Sequence, residues 1–454
     1  MERFVKIKSF ARHVVSAITV FCTVSFSAQA QSFIRDAEIE AILRDFTNPV
    51  LEAANLRPDD VNIFIINDPT LNAFVARGQN IHLHTGLIMA SETPGQLIGV
   101  IAHETGHIEG GHNIRRQRDL EIASRPAFVS IGLGLLAIAA GAPDAGAALI
   151  ASSQQFGYLN FASHTRPQEA SADQAALRYM QATGRSPRGL LEFFENFRDI
   201  QFSNNAERYR YFYTHPLASD RIESLRQGAE RSGLMDLEDD PEEVYQLEMM
   251  KAKLFGFIMA PVYVQRKYPP SDTSVPARYA RAISAFQSHS LATALSLTDE
   301  LIEEFPENPY FYELKGQILF ENGRFEESVE PNRRSLELAG RVPLLMVNLA
   351  RSLSAMQTEE SLAEAEELLS LATALEAGNA FAWHELAIVL ERQGRRPEAN
   401  LATAEQAFHY GDCDRARSFA ARASEDLEPN TPTGIRASDI TRICTITAQS
   451  RSRR

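Results

Sequence analysis

The stretch VIAHETGHIEGGHN, residues 100–113, decides how the rest of the chain is interpreted. Within it, His103, Glu104 and His107 follow the order HExxH. On a helix, two histidines four residues apart lie on one face, about one turn from each other. Imidazoles at this spacing can bind one zinc ion, and the glutamate beside the first can act as general base toward a water molecule. The motif therefore predicts hydrolysis of a peptide bond with one Zn²⁺ per chain.

The residues before the motif favour a buried helix. Thr93 is a suitable N-cap, and proline, here Pro94, is favoured at the first helical position. Apolar residues at helical spacing follow, namely Leu97, Ile98, Val100 and Ile101. A buried helix that carries two histidines and a glutamate needs polar partners. A polar helix face without a metal ion is the alternative at this point.

A second segment, residues 163–180 with the sequence SHTRPQEASADQAALRYM, contains two carboxylates at helical spacing. We expect a helix to begin after Pro167, which places Glu169 and Asp173 on one face. A catalytic zinc site takes three protein ligands and keeps its fourth position open, so Glu169 is the candidate third ligand. Asp173 can accept a hydrogen bond from the other ring nitrogen of a ligating histidine. In isolation such a pair is more typical of solvated surface carboxylates, and the HExxH helix reverses that preference.

The first part of the chain has the pattern of an export signal. Basic residues precede an uncharged apolar stretch at 14–26, and Ala28-Gln29-Ala30 is a small-residue cleavage site. We expect residues 1–30 to be removed on export, and an uncleaved membrane anchor is the alternative. The net charge of −14 argues against nucleic acid and against electrostatic docking on anionic lipid. In an oxidising compartment Cys413 and Cys444 could pair, and two free buried thiols are the alternative.

Three short β-rich runs come before the HExxH helix. They lie at 61–67, 72–76 and 81–85. We expect a small antiparallel sheet, which is the usual neighbour of a helix of this kind. Its edge strand, at Asn72, Ala73 and Phe74, would hold an extended substrate by main-chain pairing.

Residues 126–143 contain no charged side chain, and the apolar character continues through residue 151. The length is at the lower limit for crossing a bilayer, and the glycine and proline content weakens the case for a span. We expect a helical hairpin packed on the catalytic core. Reversible peripheral membrane contact through 126–151, or a lid over the site, is the second interpretation, and a true span is the third.

A period near 34 residues appears beyond Pro276. Small residues recur at or near that spacing, at Ala282, Gly316, Ala350, Ala387 and Ala421. Further small residues follow three of these at a constant offset, at Ala294, Ser328 and Ala399. Such spacing is typical of tetratricopeptide helix pairs, which stack into an α-solenoid with a concave docking surface. A helical layer without a partner is the alternative, and the polar sequence after residue 426 predicts a mobile tail.

The motifs together resemble the HtpX-like zinc metalloprotease family. The similarity is carried by HETGH with His112 after it, by NAFVARGQNIHLHTGL upstream, and by TRPQEASAD and THPLASDRI downstream. It covers nearly the whole mature chain. The layout is most similar to the periplasmic, β-barrel assembly-enhancing type of that family, which has C-terminal tetratricopeptide repeats.

This resemblance implies roles for individual residues. His103, His107 and Glu169 match the zinc ligands of the family, and Glu104 matches its general base. His215 matches a histidine of a Thr-His-Pro element, which either occupies the open zinc position in a latent state or assists catalysis. The implied partners are unfolded or misassembled protein substrates and, through the repeats, the outer-membrane assembly machinery.

We therefore expect a mainly α (α+β) protein. A zincin-type helical metalloprotease domain with a small β-sheet would be followed by an α-solenoid of tetratricopeptide repeats. The expected segments are a signal peptide at 1–30, the metalloprotease domain at 31–268, the repeat domain at 269–425 and a polar tail at 426–454. The expected function is a periplasmic zinc endopeptidase that degrades misfolded or stalled envelope proteins, and a repeat-based chaperone with a latent protease domain is the alternative.

Overall fold

The computed structural model describes residues 32–76, 78–112, 128–138, 142–198, 211, 215 and 219–452, so the predicted export signal lies outside the described residues. The N-terminal half has strands β1 (Phe33–Ile34), β2 (Asn62–Ile66), β3 (Ala73–Ala76) and β4 (Asn80–His84). Its helices are α1 (Ala37–Ala53), α2 (Thr85–Ala90), α3 (Pro94–Glu109), α4 (128–138), α5 (Pro143–Ala182), α6 (Arg188–Arg198), α7 (Ser219–Ser232), α8 (Pro241–Ile258) and α9 (Pro261–Lys267). Helices dominate the described chain, which confirms the predicted fold class.

The repeat half continues with helices alone among its described residues. They are α10 (Val275–Gln287), α11 (Leu291–Glu304), α12 (Pro309–Glu321), α13 (Phe325–Ala339), α14 (Pro343–Met356), α15 (Glu359–Leu375), α16 (Ala380–Arg392), α17 (Arg396–His409), α18 (Cys413–Asp426) and α19 (Pro432–Ser452). The small residues that defined the period are buried with one exception. Ala421 is exposed, and α18 instead buries Ala416, Ala420 and Ala423.

The sheet has the strand order β1-β2-β4-β3 and is mixed. The β3–β4 and β1–β2 pairs are antiparallel, but β2 and β4 run parallel. The prediction of an antiparallel sheet was therefore wrong for that pair. The reason is the β3–β4 hairpin, where Gly78 has φ +98° and the returning strand enters between β2 and β3. Strand β3 lies at the edge, as predicted.

Helix α3, which carries the HExxH motif, packs against α5 without intervening side chains. The hydroxyl of Thr93 caps α3 by accepting from the Gln96 main-chain N–H. Gly106 lies between the two motif histidines, and a Cβ built there would come within 2.9 Å of the Ala172 main chain. A side chain at 106 would force the helices apart. Glycine at this position therefore lets Glu169 on α5 approach the histidines on α3.

Helix α5 runs without interruption through Pro167, so the prediction that a helix begins after this proline was wrong. Proline removes one main-chain hydrogen bond, and here that loss does not end the helix. The helix extends from the apolar hairpin to the segment with Glu169 and Asp173. Movement of the hairpin and of the carboxylates is therefore coupled through one element.

The apolar segment forms the predicted helical hairpin, made by α4 and the first turns of α5. The Ser130 hydroxyl donates to the Leu149 carbonyl across the hairpin, at 2.7 Å. The hairpin does not bury its large side chains on the catalytic core as predicted, because most of those on α4 are exposed. Within the described ranges, every helix is too short or too polar to cross a membrane.

The segment predicted as a polar tail contains a helix that extends to Ser452, and the last of the arginine-rich residues predicted to be mobile, 453–454, lie outside the described residues. Helix α19 packs Ala437, Ile440 and Cys444 against α17 and α18. A disulfide joins Cys444 to Cys413 at the start of α18, with the two Cα atoms 5.0 Å apart. Closing a loop of this length stabilises the folded state by about 3–4 kcal/mol in the chain-entropy model. The polar composition of 426–454 reflects a helix with one buried face.

The two halves are joined by one buried ammonium group among three carboxylates. Lys253 Nζ on α8 lies 2.9 Å from Asp36, 3.2 Å from Glu38 and 3.3 Å from Glu313. Asp36 and Glu38 begin α1, whereas Glu313 belongs to α12 of the repeat half. One positive charge cannot balance three negative charges in a buried site. At least one carboxylate therefore keeps a proton well above its ordinary pKa.

Burial raises the pKa of Glu38, and Glu313 is a second carboxylate of this group with a raised pKa. Burial, opposed by Lys253 and helped by Asp36, raises the pKa of Glu313 to about 7. Because the folded pKa exceeds the unfolded one, its stabilising contribution is complete below about pH 4.5 and is lost as the pH rises through 7. We expect Glu313→Gln to match the parent at pH 5 and to exceed its unfolding free energy by about 1–3 kcal/mol at pH 8.

Urea unfolding at the two pH values measures this difference. Glu307→Gln is the control, since Glu307 is 79% exposed on the same half of the protein. An equal gain at both pH values would show that Glu313 is ionised throughout.

Candidate metal centre

Four buried side chains converge on one point. His103, His107, Glu169 and His215 each offer one ligand atom, and these atoms lie within 4.8 Å of one another. Helix α3 supplies the first two, α5 supplies the carboxylate, and His215 lies in the segment before α7. The structure thus brings together the three predicted zinc ligands and the histidine that the family resemblance placed at the site.

The separations between these atoms fit a tetrahedral metal ion. His103 Nε2 lies 3.1 Å from His107 Nε2 and 3.2 Å from His215 Nδ1. Glu169 lies 3.4 Å from both motif histidines and 3.0 Å from His215. An ion with bonds of about 2.0–2.1 Å separates its tetrahedral ligand atoms by roughly 3.3 Å. Three imidazoles and one carboxylate are also a donor set suited to zinc.

His103 is oriented by Asp173 on its other ring nitrogen. His103 Nδ1 lies 3.0 Å from Asp173 Oδ1, and Arg221 donates two hydrogen bonds of 2.8 Å to the same carboxylate. Arg221 also lies 3.1 Å from Glu169. The contact between Asp173 and the histidine is the one that the i, i+4 spacing indicated. Arg221 neutralises part of the acidic charge and fixes both carboxylates.

His107 is oriented in the same way by His112, with 2.9 Å between the two Nδ1 atoms. The chain reverses after α3 because Gly111 has φ +59°, a conformation that favours glycine. This turn brings the His112 ring back to His107. His112 was predicted only as part of the family pattern. The Gly-Gly pair before it was the sequence feature that indicated a chain reversal at this point.

Burial and mutual contact shift the pKa values of the side chains at this site. Burial lowers the pKa of His103, but the hydrogen bonds that its ring donates to Asp173 and Glu169 outweigh this effect and raise that pKa to about 9. Burial lowers the pKa of His107 well below its ordinary value. Burial opposes ionisation of Glu169, and the neighbouring histidines nevertheless hold its pKa well below the usual range. The carboxylate is thus available as an anionic ligand.

Glu104 is buried beside this cluster and is not one of its four ligand atoms. Within the described part of the chain, neither of its carboxylate oxygens has a hydrogen-bond partner. His215 Nε2 lies 3.4 Å from Glu104 Oε1. Glu104 is therefore positioned to accept a proton from a molecule that enters next to the cluster.

Aromatic packing holds His215 in place. Tyr211 stacks on it with ring centroids 4.5 Å apart, and the His215 N–H donates to the Tyr211 carbonyl at 2.8 Å. Tyr211 in turn packs edge-on against Phe193 and donates its N–H to Leu71 before β3. The role of Tyr211 was not predicted, because the sequence that contains Tyr211 and His215 has no clear helical periodicity.

The edge strand β3 offers alternate residues for pairing with a peptide. The His84 N–H donates to the Asn72 carbonyl, which makes Asn72 and, by alternation, Phe74 the positions paired with β4. Ala73 and Val75 therefore direct their main-chain groups to the open edge. Of the three predicted substrate residues, only Ala73 has its main chain oriented toward a substrate.

A helix with HExxH that meets a distal carboxylate is the architecture of metallopeptidases. Residues 34–229 match the family model described as Peptidase family M48. Residues 34–229 are thus similar to peptidase family M48, and the predicted resemblance is confirmed.

Two relatives match most of the chain, and a third matches less than half of it. The beta-barrel assembly-enhancing protease of Escherichia coli (strain K12) is 24% identical over 407 residues, covering 87% of this chain and 80% of the relative. A putative protein of that name from Vibrio cholerae serotype O1 is 22% identical over 416 residues, covering 88% and 82%. Metalloprotease LoiP of Escherichia coli (strain K12) is 26% identical over 204 residues, covering 44% and 74%.

Among solved structures, yeast Tom70 covers 68% of this chain and 62% of its own, with 13% identity and a TM-score of 0.29. That likeness is too low to support an argument about the repeat half.

Proposed function

We propose that this protein is a zinc-dependent endopeptidase in which His103, His107 and Glu169 bind the metal ion. The observation that supports this is the convergence of four buried ligand atoms within 4.8 Å of one another. When bound, zinc polarises a peptide carbonyl and lowers the pKa of water. Glu104 would take a proton from the attacking water and pass it to the leaving amine. An extended segment of a client protein would pair with the main chain of Ala73 and Val75.

Metal content tests the ligand set directly. We expect the His215→Ala chain to hold about one zinc ion and to lose most of it when Glu169→Ala is added, because only two histidines then remain and two histidines alone bind weakly. Glu109→Ala is the control, since Glu109 ends the same helix as the histidines and contacts Arg178 and Tyr179 instead. Equal zinc in His215→Ala with and without Glu169→Ala, measured by elemental analysis, would remove Glu169 from the site.

We further propose that His215 keeps the enzyme latent. Its Nδ1 occupies the fourth corner of the cluster, which a catalytic site leaves open, and its Nε2 faces the Glu104 carboxylate. One side chain thus engages both the open position and the general base. Withdrawal of His215 would free both groups for water and substrate.

Removing the side chain should therefore activate the enzyme. A minor open state is typically populated at ~0.1–10%, so we expect His215→Ala to raise casein hydrolysis at least about tenfold. Zinc content should stay near that of the parent, because three ligands remain. An unchanged rate would exclude latency through His215, and a lower rate would show that His215 assists catalysis.

The clients that we propose are misfolded or stalled proteins of the cell envelope, met in the periplasm after removal of the signal at Ala30. Support comes from the names of the relatives, which refer to β-barrel assembly. The repeat half would dock these clients and contact the outer-membrane assembly machinery. A cavity of about 390 Å³ beside Lys253 is lined by Gln317, Asn348 and Arg351, which can hydrogen-bond to an extended main chain.

A chaperone or assembly adaptor with a latent protease half is the second candidate. The position of His215 in the cluster favours this candidate, because a protein whose protease site is blocked can hold other proteins without cutting them. Under this alternative, removal of the general base would leave the function of the protein unchanged.

A further inference from the structure

The hairpin of α4 and α5 exposes large apolar side chains over more than half of the circumference of α4. Six of the seven on α4 are between 41% and 69% exposed, namely Phe128, Val129, Leu133, Leu135, Leu136 and Ile138, and Ile131 is half-buried. At about 100° per residue, the exposed positions 138, 128, 136 and 133 spread over roughly 220° of the helix circumference. Only Ser130 and Gly134 of α4 are buried, one turn apart. The hairpin therefore has small residues inside and large ones outside.

The inner contact of the hairpin explains this arrangement. A Cβ built on Gly134 would lie 2.7 Å from the Gly146 carbonyl, so the two helix backbones touch at these glycines. The Ser130 hydroxyl satisfies the Leu149 carbonyl across the same contact. The helices are thus held together by small residues, which is the packing used where the surroundings are as apolar as leucine. In water such a hairpin leaves its apolar side chains without partners.

We propose that this hairpin inserts into the hydrocarbon layer of one leaflet of a lipid bilayer. A peptide or a second protein chain would cover one face of it, whereas acyl chains can surround side chains that spread over more than half of the helix circumference. Helix α4 spans residues 128–138, which at 1.5 Å per residue is about 16 Å, near half of a ~30 Å hydrocarbon core. Its length therefore suits entry into one leaflet.

The charge of the protein determines which lipids this contact fits. The chain carries a net charge of −14, and residues 126–143 carry none. Anionic headgroups would repel the protein and would gain nothing from the hairpin. The contact should therefore form on neutral phosphatidylcholine and should not weaken in high salt, because it depends on apolar burial.

Sedimentation of the mature full-length chain with phosphatidylcholine vesicles tests the proposal. We expect binding that is equal in low and high salt, and at least a tenfold loss when Leu133→Glu and Leu136→Glu are combined. The control combines Val262→Glu with Leu375→Glu, which replace two side chains that are 60% and 48% exposed elsewhere. Failure of the parent to sediment with vesicles, or equal loss in the control, would overturn the proposal.

Fluorescence locates the hairpin directly, because the chain has a single tryptophan, Trp383. In a Trp383→Phe background, Leu136→Trp should shift its emission to the blue with vesicles and be quenched by brominated acyl chains. Emission that stays unquenched would contradict insertion.

Two alternative roles of the hairpin, as a dimer contact and as a lid over the site, can be distinguished from membrane insertion by experiments without lipid. Dissociation of a parent dimer by the double glutamate variant, seen by ultracentrifugation, would show that a second copy covers the hairpin. A changed rate of casein hydrolysis in that variant would show that the hairpin is a lid. Either result overturns the membrane proposal, and unchanged mass and rate support it.

Discussion

Replacing Glu104 with glutamine is expected to lower the rate of peptide-bond hydrolysis by about 10²–10⁴-fold. Glutamine keeps the size of the side chain and can still hold a water molecule, but it cannot accept a proton from it. Because Glu104 is not among the four ligand atoms, zinc content should be unchanged. Casein hydrolysis and elemental analysis on the same samples measure both effects.

His215→Ala is the appropriate background for this measurement, since activation enlarges the range over which a loss can be detected. Glu109→Gln is the matched control, because it makes the same change near the end of α3 and away from the cluster. Full activity of the Glu104→Gln variant would contradict the proposed hydrolytic mechanism. It would favour the chaperone alternative, provided that the parent preparation is free of other proteases.

The parts of the site that sequence analysis predicted are those that depend on helical spacing. His103 and His107 share a face of α3, and Glu169 and Asp173 share a face of α5, whatever surrounds them. These relations are fixed by 3.6 residues per turn. That the two helices meet depends on Gly106, where the absence of a side chain permits their contact. This close approach could be recognised only once the packing was known.

The features that the sequence did not predict depend on tertiary contacts. Strand β4 lies parallel to β2 because the β3–β4 hairpin folds back into the sheet, and pattern alone does not fix that order. Helix α19 reads as polar since only a narrow face is buried, around Cys444. The position of His112 follows from the left-handed conformation of Gly111. In each of these three cases, a feature of the folded chain that the sequence pattern does not reveal determined the structure.

Lys253→Met is expected to destabilise the folded protein by about 3–5 kcal/mol, the largest effect on stability that we predict. The substitution preserves side-chain volume but leaves Asp36, Glu38 and Glu313 without their shared cation. Removing one partner of a buried ion pair is costly because an uncompensated charge stays behind. Urea unfolding at pH 7 measures the loss.

Lys315→Met is the matched control, since Lys315 forms an ion pair of 2.7 Å with Asp299 in which both side chains are about a third or more exposed. An exposed ion pair contributes roughly 0–1 kcal/mol. We therefore expect the burial of the ion pair, rather than the distance between its atoms, to determine how much stability is lost. Adding Glu38→Gln and Glu313→Gln to Lys253→Met should restore most of the stability, because two of the three unpaired charges are then removed and the third, on Asp36, is partly exposed. A loss no larger than that of Lys315→Met would contradict this account. Since Lys253 bridges α1, α8 and α12, a large loss would also show that the catalytic and repeat halves unfold as one unit.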